Sequence, residues 1–318
     1  MTDKTVFLTR RGFLGGSLMA AAGCTLGGGL PRHRSDYDGV QVGVITYSYR
    51  TMPLSPGCTL KHTLGSGLGT IELMSGDLEM DVGAPFSDKL PWKRTKDEKA
   101  AVTAWRKTAD LGRFREIRRR YEDAGVGIHI VKFDSIGTAA MADWETDYCF
   151  RVAQAMGAGA ITREVPDVKN FAAWKDQAMR LKPYVEKYGV NVAFHNHTQI
   201  NATTYDGPLL DWCEGFRINF DIGHYTAAND DCPLQFVKKY HDRIFSIHVK
   251  DRTTKAHGQK NLAFGQGDTP LKGLFALLRA EGWDIPCDIE LEYAIPSGSD
   301  AVKEVGASNG YCRKAILG

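Results

Sequence analysis

The sequence predicts an α/β protein folded as a single (β/α)8 TIM barrel, preceded by an N-terminal export signal. Strand-like and helix-like segments alternate from residue 40 to residue 315, and eight of them are strand-like. That length is close to the ~250 residues typical of such a barrel. With 318 residues and 43% hydrophobic side chains, the chain can bury a large core, and its length alone would also allow two domains.

Period-two alternation predicts the strands and amphipathic periodicity predicts the helices. We expect strands at residues 40–48, 69–73, 126–133, 159–165, 190–197, 217–222, 244–251 and 286–293. We expect helices at residues 59–67, 96–124, 143–156, 170–188, 208–214, 233–240 and 300–315. A further helix begins at Pro270, with Asp268 or Thr269 as its N-terminal cap.

The loops bear on two further interpretations. Residues 74–95 are rich in glycine, proline and charge, and they predict a loop long enough to act as a lid. The alternative fold is a doubly wound open sheet. That fold usually has a glycine-rich phosphate-binding motif after its first strand. Here residues 46–50, which follow the first strand, contain no glycine.

Residues 1–35 are interpreted as an export signal, and residues 36–318 as the catalytic barrel. Arg10 and Arg11 precede a glycine-rich apolar run too short for a convincing membrane span, and the pattern resembles a twin-arginine (Tat) signal. A general secretion signal is the alternative. Cys24 ends a segment that resembles a lipoprotein cleavage box. We therefore expect a periplasmic protein, with a lipid anchor at Cys24 left open.

The net charge bears on the class of binding partner, and the cysteine pattern bears on disulfides. The net charge of +2 argues against a dedicated nucleic-acid binder, and the basic run at residues 113–120 is interpreted as a solvated helix face. Seven cysteines occur without CxxC spacing. Apart from Cys24, most are expected to be buried as small hydrophobic side chains, and a disulfide is left open.

Four strand-like segments place His, Asp or Glu on the face that their apolar residues avoid. They are residues 190–197, 219–224, 245–251 and 288–293. In a barrel, the strand ends that supply His195, Asp221, His248 and Glu290 would all lie at the C-terminal face, where such enzymes keep their chemistry. An open metal site would take one ligand from each segment.

These motifs, taken in order, resemble the sugar isomerase/epimerase family of xylose-isomerase-like TIM barrels. They are His-Asn-His in strand 5, Asp-Ile-Gly-His in strand 6, His-Val-Lys-Asp in strand 7 and Glu-Leu-Glu in strand 8. Glu72, ahead of a Gly-Ala-Pro loop, also fits the family. The resemblance covers residues 40–315.

The resemblance implies one divalent ion held by four side chains, which are His195, Asp221, His248 and Glu290. Mn²⁺ is the leading expectation, with Mg²⁺, Co²⁺ or Zn²⁺ as alternatives. Mixed nitrogen and oxygen ligands suit Mn²⁺, Co²⁺ or Zn²⁺ better than Ca²⁺. Many members have glutamate where this chain has His195. That departure speaks against a symmetric mechanism with two glutamates, and a subgroup with the same His-Asn-His includes enzymes that cleave 3-keto-glycosides.

The expected chemistry is proton abstraction next to a carbonyl that the metal polarises into an enediolate. The candidate bases are Glu290, His197 and Glu164. Lys250 would stabilise negative charge on oxygen and contact substrate, and His224 would hydrogen-bond a substrate hydroxyl. For His197, a supporting hydrogen bond is the alternative role.

Glu72 and Glu292 complete the set of predicted substrate contacts. The structural alternatives are a loop cap for Glu72, an ion pair in the barrel for Glu164, and a pair with Asp251 or Glu292 for Lys250.

The sequence thus predicts a metal-dependent sugar isomerase or epimerase. The alternative is a lyase or hydrolase that cleaves 3-keto-glycosides by elimination on the same barrel. An AP-endonuclease-like enzyme is disfavoured because Asp268 is followed by Thr269 and Pro270 instead of the Asp-x-His pair it needs. A non-catalytic sugar-binding module is the remaining alternative. The expected partner is a small sugar or glycoside, not nucleic acid, and self-association is left open.

Overall fold

Eight parallel β-strands close into a barrel in the computed structural model, and each strand pairs with its neighbours along the chain. The strands are β1 (Val40–Ile45), β2 (Thr70–Met74), β3 (Gly127–Lys132), β4 (Ala160–Glu164), β5 (Asn191–His195), β6 (Phe216–Asp221), β7 (Ile244–Val249) and β8 (Cys287–Ile289). The ring closes because β1 pairs with both β2 and β8, so that Val44 lies opposite Ile71 on one side and Ile289 on the other. The predicted single (β/α)8 barrel is confirmed.

The structure describes residues 34–85, 93–133, 135–165 and 171–318. Residues 1–33 of the predicted export segment, with Arg10, Arg11 and Cys24, lie outside the described residues. Within the described ranges, no helix combines the length and the apolar character needed to cross a bilayer.

Helices lie between the strands and after the last one. They are α1 (Cys58–Gly65), α2 (Ser75–Val82), α3 (Lys96–Arg106), α4 (Leu111–Asp123), α5 (Asp143–Met156), α6 (Phe171–Tyr188), α7 (Ile222–Ala228), α8 (Pro233–Tyr240), α9 (Leu271–Glu281) and α10 (Ala301–Leu317). Short 3-10 turns occupy Thr46–Tyr49, Pro208–Asp211 and Lys255–His257. After β7, a small antiparallel hairpin pairs Asp251–Arg252 with Asn261–Leu262.

Residues 74–95 were expected to form a loop, and that expectation is wrong for α2. The side chains of Leu78 and Val82, one helical turn apart, are buried in the main core. Gly83 then ends the helix with a φ of +101°, a conformation that glycine adopts at little cost. Tertiary packing therefore favours a helix despite the glycine and acidic residues in the segment.

The single helix expected at residues 96–124 is also wrong, because the chain breaks into α3 and α4. The side chain of Asp110 accepts a hydrogen bond from the backbone N–H of Gly112 at 2.7 Å and so caps a second helix. Each helix thus has its own N-terminal signal, since Thr95 forms a capping box with Glu98 at the start of α3.

The predicted cap of α9 is wrong as well. Pro270 itself precedes the helix, and no side chain caps it. The carboxylate of Asp268 is engaged elsewhere: it accepts hydrogen bonds from the backbone N–H of Thr254 and from the Nδ1 of His257, both at 2.7 Å. A side chain held by a neighbouring loop is not free to cap a helix.

The strands bury apolar side chains on both faces. The main core lies between the barrel and its helices, whereas a second cluster of four buried side chains belongs to β3, β4, β5 and β7. Its members are Ile130, Ala160, Ala193 and Phe245. Ala193 and His195 are two residues apart on β5, so their side chains point to the same face of the strand. The polar residues nearer the C-terminal end of the barrel therefore stack on this apolar layer.

The cysteines follow the prediction for most of them. Cys149, Cys213, Cys287 and Cys312 are buried, Cys58 is half-buried and Cys232 is exposed. All six of these are free thiols, so the described part of the chain contains no disulfide.

Candidate active site

Four buried side chains converge at the C-terminal mouth of the barrel, from the ends of β5, β6 and β7 and from the residue after β8. They are His195, Asp221, His248 and Glu290, and we refer to them as the mouth cluster. One potential ligand atom from each lies within 4.8 Å of the others. The rings of His195 and His248 are 4.5 Å apart between centroids. This is the convergence that the sequence predicted.

Asn219 and Glu72 hold the two imidazoles from below. The Oδ1 of Asn219 lies 2.6 Å from the Nδ1 of His195, and its Nδ2 donates to Glu72 at 3.1 Å and to Ser246 at 2.6 Å. Glu72 in turn lies 2.9 Å from the Nε2 of His248. Because an amide oxygen can only accept, His195 donates through Nδ1 and keeps its Nε2 lone pair free.

The nitrogens that Asn219 and Glu72 do not contact are Nε2 of His195 and Nδ1 of His248. The latter nitrogen lies 3.2 Å from the carboxylate of Glu290. Burial, reinforced by the charge of Lys132, lowers the pKa of His195 well below its usual range. Burial alone would lower the pKa of His248, but the carboxylates of Glu72 and Glu290 raise it well above its usual range.

The ammonium of Lys250 lies among the carboxylates of the mouth. Its Nζ is 2.7 Å from Glu290, 2.7 Å from Glu292 and 3.0 Å from the Oδ2 of Asp221. Burial would lower the pKa of Lys250, but the charges of Asp221 and Glu290 raise it above its usual range. The centre of the mouth therefore favours a positive charge.

His224 lies in the first turn of α7, and Asp221 is the N-cap of that helix. The Oδ1 of Asp221 caps the helix by accepting from the backbone N–H of His224 at 2.7 Å. Arg252 lies 2.5 Å from the Nδ1 of His224. Since a guanidinium can only donate, His224 must accept through Nδ1 and carry its proton on Nε2. Burial and then the charge of Lys250 lower its pKa to about 3, which keeps the ring neutral.

His197 and Glu164 lie together on the β4–β5 side of the mouth, where with His195 they form a second group able to surround a cation. The Nε2 of His197 is 3.5 Å from the Oε2 of Glu164, and the side chain of His197 is 53% exposed. Lys132 donates to the Oε1 of Glu164 at 2.8 Å. The more accessible of the two groups is therefore the imidazole of His197.

Glu292 and Glu72, the two remaining predicted substrate contacts, have different surroundings. Glu292 lies at the mouth, 3.7 Å from the Nε2 of His224, with 19% of its side chain exposed. Glu72 is fully buried beneath the mouth cluster and accepts a further hydrogen bond from Thr162 at 2.6 Å. Glu72 thus contacts barrel side chains on both oxygens.

A family model described as a xylose isomerase-like TIM barrel matches residues 67–310. This chain belongs to that family. Curated proteins similar to it include an inosose dehydratase of Bacillus anthracis, 30% identical over 80 residues, which cover 24% of this chain and 26% of the relative. The chain thus matches about a quarter of the length of that relative.

Solved structures show the same xylose isomerase-like fold. The probable 3-DHS dehydratase AsbF from Bacillus anthracis superposes with a TM-score of 0.62 and 12% identity, over 85% of this chain and 98% of that one. The IOLI protein, which holds a zinc atom, superposes with a TM-score of 0.63 and 12% identity, over 87% of this chain and 98% of that one. At these identities the likeness concerns the fold.

Sequence reasoning missed several polar residues of this xylose isomerase-like barrel. Asn219 lies two residues before Asp221 on β6, so both side chains point to the same face of the strand. That spacing is the signal that would have identified Asn219 as a site residue. Asp288 shares the parity of Glu290 and forms a buried pair with His129 at 2.8 Å between Oδ2 and Nε2. Arg252 had no such signal, because a hairpin that sequence reasoning did not predict brings it to His224.

Proposed function

We propose that this chain is a divalent-metal-dependent carbon–oxygen lyase that enolises a keto-carbohydrate and expels an oxygen substituent from the carbon β to the carbonyl. The observation that carries the proposal is the mouth cluster, whose four potential ligand atoms lie within 4.8 Å of one another. Two imidazoles and two carboxylates are a donor set suited to Mn²⁺, Zn²⁺ or Co²⁺.

The surroundings of the mouth cluster fit a metal. Each histidine is held through one nitrogen by a buried partner, Asn219 or Glu72, which is how metal-binding histidines are commonly oriented. The Oδ2 of Asp221 is buried and accepts no hydrogen bond within the described residues, although Lys250 lies 3.0 Å away. Lys250 shows that these oxygens already attract a cation. We propose Mn²⁺ as the resident ion, with Zn²⁺, Co²⁺ and Mg²⁺ as alternatives.

A bound divalent ion would polarise the substrate carbonyl and so acidify the adjacent C–H bond. The residues of this chain would do the rest. In our proposal His197 removes the proton, because its imidazole is exposed and Glu164 lies 3.5 Å from its Nε2 as an orienting partner. Glu290 serves as a ligand and not as the base, since Lys250 and His248 already engage its Oε2.

Lys250 and His224 would bind the oxygens of the enolised substrate. Lys250 supplies a buried positive charge, and the Nε2–H of His224 supplies a neutral hydrogen-bond donor whose direction Arg252 sets. Glu292, at the mouth beside both groups, would accept from a substrate hydroxyl. Glu72 would support His248 and Asn219, because its buried position leaves no room for substrate.

Elimination is favoured over isomerisation by two observations. An imidazole, His195, stands where the family's two-glutamate mechanism needs a second carboxylate, and its Nδ1 is engaged by Asn219. The similar proteins include dehydratases, which also break a carbon–oxygen bond. The second candidate is a sugar isomerase or epimerase, which shares the enolisation and differs in the fate of the carbanion.

The deciding experiment incubates the Mn²⁺-loaded protein with a 3-keto-glucoside in D₂O. Release of the alcohol, with an unsaturated keto-sugar as the other product, supports the lyase. Deuterium incorporated next to the carbonyl without release supports the isomerase or epimerase. If metal-replete protein neither releases the alcohol nor incorporates deuterium, the whole proposal is contradicted.

We further propose that residues 1–35 direct export through their paired arginines, Arg10 and Arg11. A periplasmic location would place the enzyme where it meets glycosides before uptake. Cell fractionation of wild type and of an Arg10→Lys, Arg11→Lys variant tests this, since the variant should stay in the cytoplasm. Membrane association that depends on Cys24 would indicate the lipid anchor.

A further inference from the structure

Two amide side chains hold the backbone of His197 at the mouth of the barrel. One belongs to Asn196, which follows β5 and is fully buried, and the other belongs to Gln199, which is half-buried in the loop beyond it. We refer to these two side chains as the amide pair. Within the described residues, all of their hydrogen bonds go to backbone atoms.

The side chain of Asn196 continues the pairing of two neighbouring strands. The ladder between β5 and β6 ends where His195 lies opposite Asn219. Beyond that point, the Oδ1 of Asn196 accepts from the backbone N–H of Asp221 at 2.9 Å, and its Nδ2 donates to the carbonyl of Asp221 at 3.2 Å. The Nδ2 also donates to the carbonyl of His197 at 3.0 Å. The site therefore uses two donors and one acceptor, which an amide supplies and a carboxylate does not.

The side chain of Gln199 joins His197 to the residue that follows β4. Its Oε1 accepts from the backbone N–H of His197 at 2.7 Å, and its Nε2 donates to the carbonyl of Val165 at 3.0 Å. Val165 is itself bound to β5, because its N–H donates to the carbonyl of His195 at 2.7 Å. The backbone of His197 is therefore fixed to the ends of both β4 and β5.

His197 has its backbone held more firmly than its side chain. Its carbonyl accepts from Asn196 and its N–H donates to Gln199. In contrast, 53% of its side chain is exposed, and 3.5 Å separates its Nε2 from the Oε2 of Glu164. That distance is at the outer limit of a hydrogen bond. The position of the imidazole therefore depends on the backbone from which it projects.

Asn196 also links two groups of the proposed reaction. Asp221 is a proposed metal ligand and His197 is the proposed base, and one buried side chain binds the backbone of both. A base must lie within hydrogen-bond reach of the proton that it removes. Because a displacement of about 1 Å can lower a rate about 10²-fold, the spacing of these two backbones bears directly on catalysis.

We propose that Asn196 and Gln199 are positioning residues, which fix the base His197 relative to the metal ligand Asp221. This inference rests on the proposed function, which assigns the roles of His197 and Asp221. Asn196 acts on both the base and the ligand, whereas Gln199 acts on the base alone. Loss of the Gln199 contacts should therefore slow proton removal and spare metal affinity, and loss of the Asn196 contacts should lower both.

The test uses the Mn²⁺-loaded protein and a 3-keto-glucoside. Gln199→Met keeps the length of the side chain and loses both hydrogen bonds. We expect its kcat to fall about 10–100-fold, with KM and Mn²⁺ affinity close to those of wild type. Gln199→Glu keeps an oxygen for the N–H of His197 and should recover most of that loss. Asn201→Ala is the matched control, because this amide lies in the same loop and contacts Thr203 and Thr204 instead.

Asn196→Ala provides a second measurement. It should lower Mn²⁺ affinity and kcat together, each by about tenfold or more, because one amide holds both backbones. Wild-type kcat in Gln199→Met, no recovery in Gln199→Glu, or unchanged Mn²⁺ affinity in Asn196→Ala would overturn the assignment. If Asn196→Ala does not fold, the two Gln199 variants decide alone.

The outcomes separate the amide pair from the reaction. If metal-replete wild type neither cleaves the glucoside nor exchanges the proton next to its carbonyl, the proposed function fails. The amide pair is then judged by hydrogen exchange at the backbone N–H of His197. Exchange about tenfold or more faster in Gln199→Met than in wild type supports the contact, and equal exchange in the two proteins overturns it.

Discussion

The two sides of the barrel mouth differ in the chemistry of their side chains and in the elements that carry them. On the β5–β8 side, every charged group of the mouth cluster is buried and held by partners on neighbouring strands. On the β1–β2 side, a cleft between the 3-10 turn after β1, helix α1 and the start of α2 is lined by apolar and polar side chains, among them Met52, Leu54 and Asp77. The strands hold groups whose positions must be accurate, and the loops shape a cavity that can vary among relatives. The buried ionisable groups therefore lie on the β5–β8 side, which is where we propose that the reaction takes place.

The largest effect is expected when the cation site of the mouth cluster is removed. In Asp221→Asn the Oδ1 that caps α7 is kept, but the negative charge of the carboxylate is lost. We expect the bound metal to fall far below one per chain and turnover to drop by about 10³-fold or more, because the carbonyl is no longer polarised. Metal analysis and steady-state kinetics check this.

The comparison supplies its own control. Leu54→Asp alters the β1–β2 side and should keep its metal, with far-UV circular dichroism unchanged in both variants. Full metal content and activity in Asp221→Asn would refute the assignment of the mouth cluster.

The next largest effect is a loss of metal affinity when a hydrogen-bond partner of the mouth-cluster histidines is removed. Asn219→Ala removes the acceptor that orients His195 and a donor to Glu72, and we expect metal affinity to fall about 10–100-fold. Ser246→Ala is the matched control, because it removes only the hydroxyl that Asn219 contacts and leaves both histidine contacts intact. Calorimetric titration with Mn²⁺ measures both. Equal affinities in the two variants would mean that Asn219 does not position a ligand.

A smaller effect is expected at Arg252. Arg252→Met should lower kcat/KM by about tenfold through loss of one oriented hydrogen bond, without changing metal content. Arg252→Lys keeps a donor and should recover part of the loss. ¹⁵N NMR of labelled histidine distinguishes positioning from a general structural defect, because His224 should lose its uniform Nε2–H tautomer in Arg252→Met only. An unchanged tautomer would contradict the role.

The smallest effect is a pH dependence on the cleft side. Burial raises the pKa of Asp77 from 3.8 to about 6, despite a hydrogen bond from Thr46. Between these values the folded chain holds a proton that the unfolded chain has lost, so this group's contribution to stability falls as pH rises from about 4 to 6.

Asp77→Asn should therefore gain stability over wild type across that window, by about 1 kcal/mol once partial exposure is allowed for. Urea unfolding at pH 4 and pH 7.5 measures the difference between the two proteins. A stability difference that does not change with pH would show that the fold does not shift the ionisation of Asp77.

The sequence was most informative where the strands impose a strict alternation. His195, Asp221 and His248 could be placed at one end of the barrel because parity and strand order leave a side chain little freedom. Their partners were harder to predict. Glu72 lies 176 positions from His248, and no local pattern tells which carboxylate will reach under which imidazole.

The failures share a physical cause. Helix α2 and the break before Asp110 depend on packing and on capping contacts that propensity alone weighs poorly. Arg252 reaches His224 because its guanidinium also donates to the carbonyl of Gln259, whose own side chain donates to the carbonyl of Ala227. Such a chain of contacts exists only once the hairpin has folded against α7.

Asp221 uses its two oxygens for two different neighbours. One oxygen receives the backbone N–H of His224, and the other faces the ammonium of Lys250 at the centre of the mouth. A carboxylate is planar and rigid, so it acts as a spacer of fixed length between the first turn of α7 and whatever cation occupies the mouth. Lengthening that spacer by one methylene, as in Asp221→Glu, would misplace the cation site and the imidazole of His224 in a single step. A change of side-chain length at Asp221 is therefore expected to alter metal binding and the position of His224 together.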